Sequence, residues 1–126
     1  MITLVCRTIL LGATISLAAC QPPVLPSGQY IQVNPAGDDK ALSLNFEQDS
    51  LSGFTGCNRA MGSFTIDKGE LVVSQLASTM MACSEQAMAR EQVFMQFLQN
   101  KPALSIQDKV LVLRKDDTEY RFITQH

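Results

Sequence analysis

Eight short segments in which apolar and polar residues alternate, with one long segment free of Gly and Pro set among them, constrain this chain more than any other feature. Gln29-Tyr30-Ile31-Gln32-Val33 and Ala41-Leu42-Ser43-Leu44-Asn45-Phe46 keep a two-residue period. Asn34-Pro35-Ala36-Gly37-Asp38-Asp39 between them is rich in turn formers, so the pair reads as a hairpin. Residues 51–54, 62–66 and 70–74 continue that period, with Asp67-Lys68-Gly69 as a turn. The pattern then changes. Ser84 is placed to cap a helix, Glu85 suits its first turn, and Asn100-Lys101-Pro102 would end it. At helical spacing Ala87, Met88, Phe94, Met95, Phe97 and Leu98 gather on one face, opposite Glu85, Gln92, Gln96 and Gln99. Such a Met and Phe stripe reads as core rather than as a ligand box. Residues 103–106, 109–114 and 119–123 return to alternation, joined by Gln107-Asp108 and Lys115-Asp116-Asp117-Thr118. Strands, one helix and strands again, with short connections, predict a β-rich α+β domain. It is an antiparallel curled sheet or partial barrel of about seven to eight strands, covered by one amphipathic helix.

Composition excludes several function classes. The chain has 126 residues and a formal charge of −2, with 10 Lys+Arg against 12 Asp+Glu and no basic run, so it lacks the electrostatic footprint of a nucleic-acid binder. Its single histidine, His126, leaves little material for catalytic triads, imidazole bases or His-based metal sites. Asp38-Asp39 and Asp116-Asp117 sit in polar turns and read as solvated surface, without the spacing of a calcium loop. No cofactor and no metal are expected, and the composition argues against an enzyme.

The N-terminus carries Arg7 ahead of an uncharged, mostly apolar run from residue 8 to residue 19. As a helix, twelve residues rise only about 18 Å, short of the roughly 30 Å hydrocarbon core, so a secretory signal peptide fits better than a membrane span. The run ends Leu17-Ala18-Ala19-Cys20, which resembles the lipobox of bacterial lipoproteins; an ordinary signal peptide with a small-residue cleavage site is the alternative. Gln21-Pro22-Pro23-Val24-Leu25-Pro26-Ser27-Gly28 cannot continue a helix and suits an extended tether. The expected organisation is a lipoprotein signal peptide at 1–19, a lipid-anchored Pro-rich tether at 20–28 and a folded domain at 29–126. The lipobox resemblance implies a thioether-linked diacylglycerol and an amide-linked, palmitate-type acyl chain on Cys20, enough for stable anchoring. Gln21, rather than Asp, at the next position implies the outer membrane, facing the periplasm.

If Cys6 leaves with the signal and Cys20 carries lipid, Cys57 and Cys83 are the remaining pair. In an oxidising compartment an even number suggests a disulfide. Two separate buried thiols and a redox-active pair are the alternatives, the latter without the C-x-x-C spacing of oxidoreductases.

The middle of the chain holds Ser52-Gly53-Phe54-Thr55-Gly56-Cys57-Asn58-Arg59, then Gly62-Ser63-Phe64, and later Leu76-Ala77-Ser78-Thr79-Met80-Met81-Ala82-Cys83, with Glu91 and Phe94 in E-x-x-F spacing. In this order the motifs resemble the META domain of the HslJ-like heat-inducible lipoproteins, over about residues 27–124. Tyr30 stands where many members have Trp, and Ala60-Met61 where many have an aromatic. The resemblance implies a small, partly barrel-like domain in the bacterial envelope, linked to stress response and antibiotic tolerance, with no established catalysis. The expected function is a non-enzymatic envelope lipoprotein with a stress-related, structural or binding role, attached to the membrane through Cys20 and open to an envelope protein partner. The alternative is a binder of a small apolar ligand or an inhibitor of an envelope enzyme, with Asn58 and Arg59 in the Gly-rich bend as candidate contact residues. A thiol enzyme at Cys57 or Cys83 would lack a histidine partner.

Overall fold

The alternating segments form strands because each has one face to bury, and the turns between them accept backbone angles that close tight hairpins. In the computed structural model, which describes residues 26–125, the element order is β1 (Gly28–Gln32), β2 (Ser43–Glu47), β3 (Ser50–Phe54), β4 (Arg59–Asp67), β5 (Glu70–Ser78), α1 (Glu85–Gln99), β6 (Ala103–Gln107), β7 (Val110–Lys115) and β8 (Thr118–Thr124). The expected signal peptide, the expected lipidation site Cys20, most of the expected tether and His126 lie outside the described residues. Each strand pairs antiparallel with the next. β8 returns to β1 through Tyr30↔Thr124 and Gln32↔Phe122, so the sheet is a closed eight-stranded barrel rather than a partial one. The two-residue turns Lys68-Gly69 and Asp108-Lys109 have positive φ at both positions, the twist that matches tight antiparallel hairpins.

Two strands run longer than the sequence pattern predicts. Residues 59–61 with Asp67, and residues 75–78, extend β4 and β5 to nine residues each, although a register shift between Met61 and Ser63 interrupts their alternation. Pairing across the hairpin, and not side-chain pattern, carries these extensions. Closure is thinnest between β5 and β6, where Glu70↔Ala103 is the one register pair. Two backbone hydrogen bonds flank it, Leu71 N–H to the Pro102 carbonyl at 2.8 Å and Leu104 N–H to the Gly69 carbonyl at 2.9 Å.

The helix α1 lies between those two strands in sequence and packs into the barrel core. Ser84 caps it, its hydroxyl oxygen accepting from the Ala87 N–H at 3.2 Å, and Asn100 closes it with a bond to the Phe97 carbonyl. Phe94, Phe97 and Leu98 are buried with Phe46, Leu111 and Phe122 from the strands. Phe94 stacks edge-on against Tyr120 at 4.9 Å between ring centroids, as Phe97 does at 4.8 Å. The expected apolar face is narrower than the sequence suggested. Met88 is 49% exposed, because the first half of the helix rests on a polar bend instead of the core, and Met95 is only half-buried.

Phe94, with no exposed surface, touches both the helix and strand contributions to the core. Phe94→Ala should therefore cost about 3–5 kcal/mol of unfolding free energy, read by denaturant titration.

Candidate functional site

The bend between β3 and β4, residues 55–58, is the point where the Ser52-to-Arg59 sequence motif and the helix meet. Thr55, Gly56, Cys57 and Asn58 are all buried. Gly56 has φ of +133°, and a Cβ there would sit 3.0 Å from the Glu91 nitrogen and 3.2 Å from the Ala87 carbonyl oxygen, so only glycine lets the helix backbone come this close. Gly53, three residues earlier in β3, permits a different close approach, to β2, where a Cβ would collide with the Ser43 carbonyl.

The close approach delivers Glu91 into the bend. Its Oε1 accepts from the Thr55 hydroxyl at 2.6 Å, the Asn58 N–H at 2.6 Å and the Cys57 N–H at 3.3 Å, and its Oε2 accepts from Asn58 Nδ2 at 2.8 Å. Asn58 is used on both sides of its amide. Its Oδ1 accepts from the Met81 N–H at 2.6 Å and from the Thr79 hydroxyl at 3.1 Å, which fixes the amide orientation. Burial alone would raise the Glu91 pKa, but the hydrogen bonds from Thr55, Asn58 and Cys57 outweigh it and hold the carboxyl below its ordinary value. Among the described residues no buried side-chain nitrogen or oxygen is left without a partner.

A covalent bond reinforces the same junction. Cys57 and Cys83 are joined across a sequence separation of 26, with Cα atoms 5.9 Å apart, so the helix entrance is tied to the bend. Arg90, one residue before Glu91, secures the other flank of the helix. Its Nη2 donates to the Lys40 carbonyl at 2.6 Å and to Gln32 Oε1 at 3.1 Å, and its Nε lies 3.6 Å from Asp39 Oδ2.

The two candidate contact residues therefore separate. Asn58 is 5% exposed and fully engaged within the bend, so it is not the exposed loop residue that the sequence suggested. Arg59 is exposed, uses its backbone to pair with Thr79, and forms no ion pair among the described residues. Glu91 was visible in the sequence only as part of a motif. The available signal was its place at 87, 91, 94 and 98, a line of helix positions that is otherwise Ala, Phe and Leu. With three donors on Oε1 and one on Oε2, the carboxylate holds the bend and the helix together. No group of three His, Cys, Asp or Glu side chains able to hold a metal ion occurs among the described residues.

The Glu91 network sets a pH dependence with a definite sign. Its folded pKa is lowered, so ionised Glu91 stabilises the fold above the unfolded glutamate range near pH 4.3, and that contribution is lost as pH falls through the folded value. Glu91→Gln should remove this acid-limb dependence from the unfolding free energy. It should also cost roughly 2–3 kcal/mol at pH 7, because a donor amide would face the donor Asn58 Nδ2, whose own orientation is fixed by Met81. Replacing both Cys57 and Cys83 with Ser should cost about 3.5 kcal/mol in the chain-entropy account. Alkylation before and after reduction, read by mass spectrometry, should modify Cys57 and Cys83 only after reduction.

Known proteins place this architecture. An NMR structure superimposes with a TM-score of 0.63 at 21% identity, covering 76% of this chain and 87% of its own. An NMR structure of a protein from Burkholderia xenovorans gives 0.60 at 21% identity, over 90% and 96% of the two chains. At these identities the likeness is one of fold. No curated protein gives a significant match. The META domain model matches residues 24–126, which takes in all eight strands, the helix, the bend and the Glu91 network, and the chain belongs to the META domain family.

Proposed function

We propose that the protein is a non-enzymatic lipoprotein of the bacterial envelope. It is held through lipidated Cys20 on the outer membrane facing the periplasm, with its META barrel in a stress-related structural or binding role. The observation that carries this reading is Leu17-Ala18-Ala19-Cys20 at the end of a short apolar run, followed at once by Gln21-Pro22-Pro23 and then by the family domain. The disulfide between Cys57 and Cys83 suits an oxidising compartment. The filled core supports action through the barrel surface, since Phe46, Phe94, Phe122, Leu71 and Leu111 occupy the interior with no exposed area. No helix among the described residues is long and apolar enough to cross a membrane.

A second reading, binding of a small apolar ligand or inhibition of an envelope enzyme, draws on one feature. An open depression of about 600 Å³ runs beside α1, lined by Glu85, Met88, Ala89, Glu91, Gln92 and Met95. It lies outside the barrel, unlike the enclosed cavities that bury most of a small ligand. A protein partner fits such a surface better than a small molecule.

Replacing Cys20 with Ala and following the protein by fractionation and intact mass tests the anchor. The unaltered chain should lose residues 1–19, gain the mass of its acyl groups and sediment with outer membranes. The variant should lack the lipid mass and leave the membrane fraction. A variant that still matures and stays with membranes would overturn the lipoprotein reading.

A further inference from the structure

Among the described residues, four methionines lie well exposed, and all four fall at one end of the barrel. Met80 is 96% exposed, Met61 61%, Met81 58% and Met88 49%. Their common location follows from the pairing. Met61 stands opposite Ala77 near the start of β4 and the end of β5, and Met80 and Met81 continue directly from that end of β5. The Met81 N–H binds Asn58, the Met81 carbonyl lies 3.5 Å from Cys57 Sγ, and Met88 sits in the first helical turn after the Ser84 cap. The remaining described methionine, Met95, is half-buried further along α1.

This end stands out chemically because the chain offers few other side chains that react readily with two-electron oxidants. There is no tryptophan, and no free cysteine occurs among the described residues because Cys57 and Cys83 are already joined. Tyr30 is buried and Tyr120 is packed between Phe94 and Phe97. Among the described residues the hydrophobic core contains no methionine. Thioether oxidation is usually damaging because it puts a polar sulfoxide into a packed interior. Here the exposed sulfurs sit outside the core, beside a junction already held by a disulfide and the Glu91 network.

We propose that the methionines at the disulfide end form an oxidation site, a surface that takes up hypochlorous acid or related two-electron oxidants while the barrel stays folded. At each residue the thioether and one hypochlorous acid give one methionine sulfoxide, one chloride and one proton. Sulfur gives up two electrons, chlorine takes them, and one oxygen atom is added. The product converts an apolar end of the barrel into a polar one and is reversible by methionine sulfoxide reductases. The inference is independent of acylation at Cys20.

The test uses the mature chain treated with stepwise additions of hypochlorous acid, with peptide mapping by mass spectrometry and melting followed in parallel. Sulfoxide should appear first at Met80 and next at Met61, Met81 and Met88, with Met95 about tenfold slower, in line with its lower exposure. Uptake of four oxygen atoms, one at each exposed methionine, should leave the melting temperature and near-ultraviolet dichroism unchanged. In denaturant the five rates should converge, showing that the fold sets the order. The M80L/M81L double variant, altered only at exposed positions, should take up two fewer oxygens under the same treatment. Oxidation of Met95 as fast as Met80 in the folded chain, or loss of the folded signal before the four exposed sites are filled, would overturn the proposal.

Discussion

The carboxylate of Glu91 is the interaction on which the arrangement of helix and barrel depends. A bend such as residues 55–58 turns backbone N–H groups inward, and buried donors without acceptors are costly. Glu91 accepts from two of those N–H groups and from the Thr55 and Asn58 side chains, so one side chain from α1 satisfies the bend and fixes the helix position together. Gly56 makes the approach sterically open, and the Cys57–Cys83 bond limits how far the helix entrance can move away. Ionisation, glycine geometry and covalent linkage thus act on the same few ångströms.

That junction matters because the barrel is weakly sealed between β5 and β6. A seam with one register pair leaves backbone groups of both strands without strand partners, and exposed edges invite unwanted pairing. The chain between those strands is the helix itself. Its Phe94, Phe97 and Leu98 enter the core, so the element that interrupts the strand order also completes the interior. Arg90 ties the helix to the loop after β1 through Lys40, Gln32 and Asp39, which adds a second anchor away from the bend. Among the described residues, aromatic and aliphatic side chains from strands and helix fill the interior of this small barrel.

The surface is uneven. One end holds the disulfide, the Glu91 network and the exposed methionines, while the opposite end holds the start of β1, where the preceding tether would join. In the polar bend beneath the methionine-bearing end each buried polar side chain is paired.

Much of the fold was legible in the sequence. Two-residue alternation found every strand, Ser84 and Asn100 bounded the helix, and the turn residues located the hairpins, because these features are set by local backbone preference and by the need to bury one face. The motif around Ser52 to Arg59 gave the family. What the sequence could not decide was contact between distant segments. Closure of β8 onto β1, the added length of β4 and β5 and the single-pair seam all depend on inter-strand hydrogen bonds that no local pattern encodes. Glu91 and Asn58 are the clearest case. By themselves a helical glutamate and a loop asparagine are surface residues, and Met88 is a core residue. The tertiary structure reverses these assignments because the helix meets a bend whose inward N–H groups need a charged acceptor, turning Glu91 inward and leaving Met88 in solvent.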